Sequence, residues 1–223
     1  MNFSDRRQAD MIRPSSLRSS VPNRQQPERT TMTIENTPAT ALDGERADLL
    51  AQLATARSAL RATIDGLTDE QAGAHPTVSA LSLGGLVKHV AAMENNWQRF
   101  VVEGPSAMNY ELPEGVTWAD FVSGTAREFP QWAIDHRNTF VMLPGETLAD
   151  ILSRYEQIAA RTEELIAAVP DLAATHPLPD APWHEAGAVR SVRRVLMHLI
   201  QETAQHAGHA DIIRESLDGR TAG

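Results

Sequence analysis

From Ser191 to Leu217 the chain keeps one amphipathic period. At about 100° per residue, Val192, Val195, Leu196, Leu199, Thr203, Ala210, Ile213 and Leu217 fall on a single stripe. That is the pattern of a long helix with one face to bury. His206 lies near the middle of the stripe, and Glu202, one turn earlier, lies roughly 60° from its centre. Burying an unpaired carboxylate is costly, so the reading gives Glu202 a cation or a donor to face. Residues four apart stack on one helix face, close enough to share a metal ion.

Three more segments repeat the helical period. The first runs from Asp43, an N-cap residue, to Gly66, with Leu49, Leu50, Leu53, Leu60 and Ile64 inward. Thr68-Asp69-Glu70-Gln71 then opens a short helical turn by a capping-box pattern, closed by Pro76. Ser82 caps the second long helix, Leu83 to Val102, with Leu86, Val87, Val90, Met93, Trp97 and Val101 inward. Thr147 starts the third, which Leu148, Ile151, Leu152, Tyr155, Ile158, Ala159 and Leu165 carry to Val169. Residues 104–145 are less periodic and hold four prolines; Thr117 to Glu128 reads as a short helix, and Trp132 to Val141 reads either way. Pro170, Pro177, Pro179 and Pro182 mark a rigid loop before the last helix, which Ser191 caps. Four long helices with unequal connections predict an all-α four-helix bundle with a long crossover, spanning residues 41–219.

Residues 1–40 are rich in Arg, Ser, Pro, Gln and Thr and read as a disordered tail, with Met32 as an alternative start. Six arginines against Asp5, Asp10 and Glu28 make residues 1–31 basic, while the remainder carries 14 basic and 26 acidic residues. An acidic body without a basic stripe argues against a nucleic-acid partner. No apolar run approaches the ~18 residues of a membrane span. With no signal peptide either, the reading is cytoplasmic. The chain has no cysteine, which excludes thiolate ligands and an internal thiol nucleophile.

A useful metal site needs a third ligand from another helix. Of the eight histidines, His75, His136, His176 and His184 fall in or near loops and read as solvated. His198 and His209 lie on the last helix, off the stripe centre. His89 is different: it sits midway along the second helix at the edge of the inward stripe, where a bundle brings it to face the last helix. His89, Glu202 and His206 are therefore the candidate metal ligands. Two imidazoles and a carboxylate suit a divalent ion, zinc first, with nickel, manganese or iron as alternatives. Glu94 also faces inward, either to orient a ligand or to pair with an arginine of a neighbouring helix.

The second-helix run Leu83-Gly84-Gly85-Leu86-Val87-Lys88-His89-Val90, followed by Glu94 and Trp97, resembles the metal-binding DinB/YfiT superfamily. So does Leu67-Thr68-Asp69-Glu70-Gln71. The run from Val195-Leu196-Met197-His198 through Glu202, His206, Gly208-His209-Ala210-Asp211 and Arg214-Glu215 resembles it more strongly. The resemblance is closest to the actinobacterial branch allied to mycothiol-dependent maleylpyruvate isomerase, and covers roughly residues 43–219. Many members hold their metal with one His on the second helix and two, four apart, on the last. The matching positions here are His89, Glu202 and His206, and the isomerase branch similarly has Glu at the first late position.

The resemblance implies a metal that activates a small thiol cofactor such as mycothiol. The residues agree: without cysteine, and with no evident Ser–His pair, any nucleophile comes from outside as a bound water or a thiol. The expected activity is metal-dependent S-transfer or isomerisation on a small-molecule electrophile. A metal-hydroxide hydrolase and a non-catalytic, metal-stabilised stress-response bundle remain the alternatives, and a homodimer is compatible with the pattern.

Overall fold

The computed structural model describes residues 43–108 and 110–221. The tail expected over residues 1–40 lies outside them. Seven α-helices occupy the described residues: α1 (Gly44–Ala62), α2 (Asp69–Gly73), α3 (Leu83–Glu103), α4 (Trp118–Ser123), α5 (Gln131–Thr139), α6 (Leu148–Ala168) and α7 (Val192–Asp218). The long ones, α1, α3, α6 and α7, form the expected all-α bundle.

Their starts are fixed by side chains that accept orphaned backbone N–H groups. Asp43, Ser82, Thr147 and Ser191 cap α1, α3, α6 and α7, and Thr68 closes a full capping box with Gln71. Two ends differ from expectation. α1 stops at Ala62 rather than Gly66, because the Thr63 hydroxyl donates to the Leu60 carbonyl at 2.7 Å and the chain turns. α4 is shorter than the expected 117–128, since Gly124 adopts a left-handed conformation, φ +73°, directly after Ser123. The proline-rich loop also holds a small antiparallel ladder, β1 (Thr175–Pro177) on β2 (Val189–Ser191), which pairs His176 with Arg190.

Pairs between helices give their directions. Arg193 at the start of α7 meets Glu45 at the start of α1, and Arg214 near its end donates to the carbonyls of Thr63 and Asp65 just beyond α1. α1 and α7 therefore run parallel. Lys88 meets Glu146, just before α6, and Gln98 meets Ile158 and Thr162, so α3 and α6 are parallel too. His89 faces His206 and Trp97 faces His198, which sets α3 antiparallel to α7. Two parallel neighbours cannot be joined by a tight turn. The chain from 104 to 147 is the crossover that returns it to start α6.

The core is aliphatic. Leu53, Leu60, Leu86, Val87, Val90, Leu196 and Ala210 are sealed from solvent. Leu86, Val90, Ile151, Ala207 and Ile213 pack around one end of it, and Leu53, Val101, Ile166, Leu196 and Leu199 around the other. One buried polar network crosses it. Glu94, wholly buried, accepts from the Arg57 guanidinium and the Thr162 hydroxyl, and Gln98 donates to Thr162 and to the Ile158 carbonyl. No helix among the described residues is long and apolar enough to cross a membrane.

Candidate functional site

Because α3 runs against α7, His89 faces the later half of α7. The rings of His89 and His206 stand 5.0 Å apart, edge to face. Both are nearly closed off, at 7% and 8% exposure. Burial drives the His89 imidazole from its ordinary 6.5 down to about 3, helped by His206 and His136 beside it. Burial, and then His209, lowers His206 as well. Both rings are thus neutral near pH 7, the form that keeps a nitrogen lone pair for a metal.

Glu202 departs from the inward placement expected of it. Its side chain is 26% exposed, with Oε2 3.7 Å from Nε2 of His206 and Oε1 4.0 Å from Nδ1 of His198. The 60° offset from the stripe centre leaves it at the rim of the bundle, where water solvates the carboxylate.

The crossover supplies the other wall. The Phe140 ring stacks on His89 at 3.8 Å and 21°. His136, expected in a solvated loop, lies on α5 with its ring 5.4 Å from His89 and one side exposed. The Thr139 hydroxyl is 2.9 Å from Nδ1 of His89. None of these three stood out in the sequence, since this stretch has no helical period to place them. The remaining histidines are used locally: His75, His176 and His184 each meet a backbone carbonyl, and His198 packs edge-on against Trp97.

Glu94 is committed to Arg57, so of its two readings the structure takes the buried ion pair. A hollow of about 820 Å³ opens between the end of α1 and the start of α6, but its lining, Arg61, Asp65, Asp69 and Leu152 among others, includes none of His89, Glu202 and His206.

The donor chemistry fits a divalent ion. Nδ1 of His206 is buried with no hydrogen-bond partner among the described residues, an orphan that a bound cation or water would satisfy. The neighbouring Nδ1 of His209 is in the same condition, its ring 5.6 Å from that of His206. The three candidate ligands are adjacent rather than converged: among the described residues no three His, Asp or Glu side chains stand at the spacing of a metal cage.

The family model for mycothiol-S-transferase matches residues 48–219, from the first turns of α1 to the glycine that ends α7. The chain belongs to the mycothiol-S-transferase family. This is a DinB/YfiT-like family linked to mycothiol-dependent enzymes, as the motifs on α3 and α7 lead one to expect. No curated protein sequence matches the chain. Membership brings a mycothiol-related transferase activity and a thiol substrate into view.

Proposed function

We propose that this member of the mycothiol-S-transferase family is a metal-dependent S-transferase whose divalent ion is held by His89, Glu202 and His206. The observation that carries the reading is the pair of buried, neutral imidazoles on facing helices, one with an orphaned nitrogen, beside a carboxylate on the same helix turn. The sulfur must be borrowed, because the chain has no cysteine. When bound, a divalent ion lowers the pKa of a thiol from about 8.5 and so makes thiolate available at neutral pH.

The chain's own residues do the rest. His89 and His206 offer uncharged nitrogen donors at the floor of the site, and Glu202 offsets positive charge from its rim. Phe140 covers one face of His89 and keeps water from it. His136 is exposed on α5 with its ring 5.4 Å from that of His89, where an incoming molecule can meet it. The reaction class is formation of a carbon–sulfur bond: the S–H bond breaks with its proton passing to water, and the sulfur attacks an electrophilic carbon of a small molecule. That carbon either expels a leaving group with the bonding electron pair or, where it belongs to a polarised double bond, passes the π electrons to the neighbouring atom, which then takes a proton from water.

Metal analysis of the purified protein tests the reading, together with turnover of an electrophile with and without added mycothiol. We expect about one divalent ion per chain, lost in His89→Ala, Glu202→Ala and His206→Ala but kept in His198→Ala. Turnover should require the thiol. Robust hydrolysis in thiol-free buffer, suppressed by thiol, would overturn the transferase reading and favour a metal-hydroxide hydrolase.

A further inference from the structure

We infer that Thr139 is a positioning residue that sets the tautomer of His89 and so decides which of its nitrogens is free to bind a metal. The argument is a proton count. The Thr139 hydroxyl lies 2.6 Å from the backbone carbonyl of His136, one turn back on α5, and 2.9 Å from Nδ1 of His89. A hydroxyl has one proton, and a carbonyl oxygen can only accept. The Thr139 proton is therefore spent on His136, and the contact to His89 forms only if Nδ1 carries the proton and donates. That leaves Nε2 as the unprotonated nitrogen. A metal-binding imidazole is held in the same way when its other N–H is given to an oxygen acceptor.

The sequence provides for this contact on the opposite side. Gly84 and Gly85 lie in the first turn of α3, and the chain after α5 presses directly on them. A Cβ on Gly85 would stand 1.9 Å from the Phe140 carbonyl oxygen, and one on Gly84 would stand 2.3 Å from Sδ of Met142. The two glycines thus form a notch that seats residues 140–142, with Lys88 holding the strap by donating to the Val141 carbonyl at 3.1 Å. Seated there, Phe140 lies flat on His89, and Thr139 reaches its edge.

The inference rests on the metal reading above, so its test separates the two. Long-range nitrogen NMR on the metal-free, full-length protein reads the His89 tautomer, assigned by loss of the signals in His89→Gln. Zinc affinity is read by competition with a chromophoric chelator. In the wild type we expect a protonated Nδ1. Thr139→Val, which keeps the shape but not the hydroxyl, should lose that preference and weaken zinc binding about 10–100-fold; Thr139→Ser should restore both. An Nε2-protonated His89 in the wild type would overturn the inference, as would a Thr139→Val protein with unchanged tautomer and affinity. If His206→Ala binds zinc as tightly as the wild type, it is the metal reading that fails; the tautomer assignment is then judged on the nitrogen signals alone.

Discussion

In the bundle, apolar contact comes from Leu, Val and Ile sealed between helices. In the crossover, no residue of α4 or α5 is fully buried, and aromatic rings take over. Tyr110, Trp118, Phe121, Phe129, Trp132 and Trp183 form one cluster, most of its contacts steeply angled, at centroid distances such as 5.2 Å for Tyr110–Trp132 and 5.4 Å for Trp118–Trp183. These six account for more than half of the chain's eleven aromatic residues. Large rings cover much area from few positions, so a short irregular stretch can hold itself on the surface of a bundle without a core of its own. Such a stretch is easier to open locally than the bundle beneath it. The candidate site joins the two: α3 and α7 give His89, Glu202 and His206, and the crossover gives His136, Thr139 and Phe140.

The contrast is broken most severely from inside the bundle. Glu94→Ala leaves the Arg57 guanidinium buried without its principal partner and is expected to cost about 3–5 kcal/mol, read by urea denaturation. Leu196→Ala opens a cavity at a wholly buried position, with an expected cost of about 2–5 kcal/mol. Gly85→Ala acts at the seam: its methyl group displaces the strap, costing about 1–3 kcal/mol, with amide exchange rising at residues 139–142. Trp132→Ala removes the centre of the aromatic cluster, and with it the indole N–H donated to the Glu111 carbonyl at 2.9 Å. Faster exchange should then be confined to the crossover, with the bundle's unfolding midpoint little changed. Equal loss of protection in α3 and α7 would show that the two regions unfold as one.

The smallest effect is pH dependence of the metal-free protein. His89 is depressed to about 3 when folded, against about 6.5 unfolded, so the unfolded chain binds more protons. Stability from this group is therefore greatest well above pH 6.5 and declines as pH falls through 6.5 toward 3. Between pH 7 and 6 the loss from this one group is about 0.7 kcal/mol, since about half a proton is taken up over that unit. His89→Gln should flatten that slope.

Where the helical period is sustained, the fold is legible in the residues. Asp43, Thr68, Ser82, Thr147 and Ser191 cap the helices expected of them, and the stripe on α7 meets solvent and core as its spacing demands. Glu202 sits at the rim rather than in the core, its side chain 26% exposed, because an offset of about 60° from the stripe centre carries a side chain to the edge of the buried face. Over residues 104–145 the order comes from ring contacts distant in sequence, such as Trp118 with Trp183, and no local pattern announces them. Thr139 and Phe140 were missed for the same reason. The three-residue strands were missed because so short a run leaves no alternation to read.

The parallel pairing of α1 with α7 has a consequence for how the protein is made. The first and last of the described helices are neighbours, so α1 waits for its partner while some 130 residues are synthesised, about 6–26 s at typical translation rates. During that interval the apolar faces of α1 and α3 lack the surface that covers them. Two of the three proposed metal ligands also lie on α7. A nascent chain therefore cannot assemble the site piecemeal: closure of the bundle and completion of the site arrive together, once α7 has cleared the ribosome.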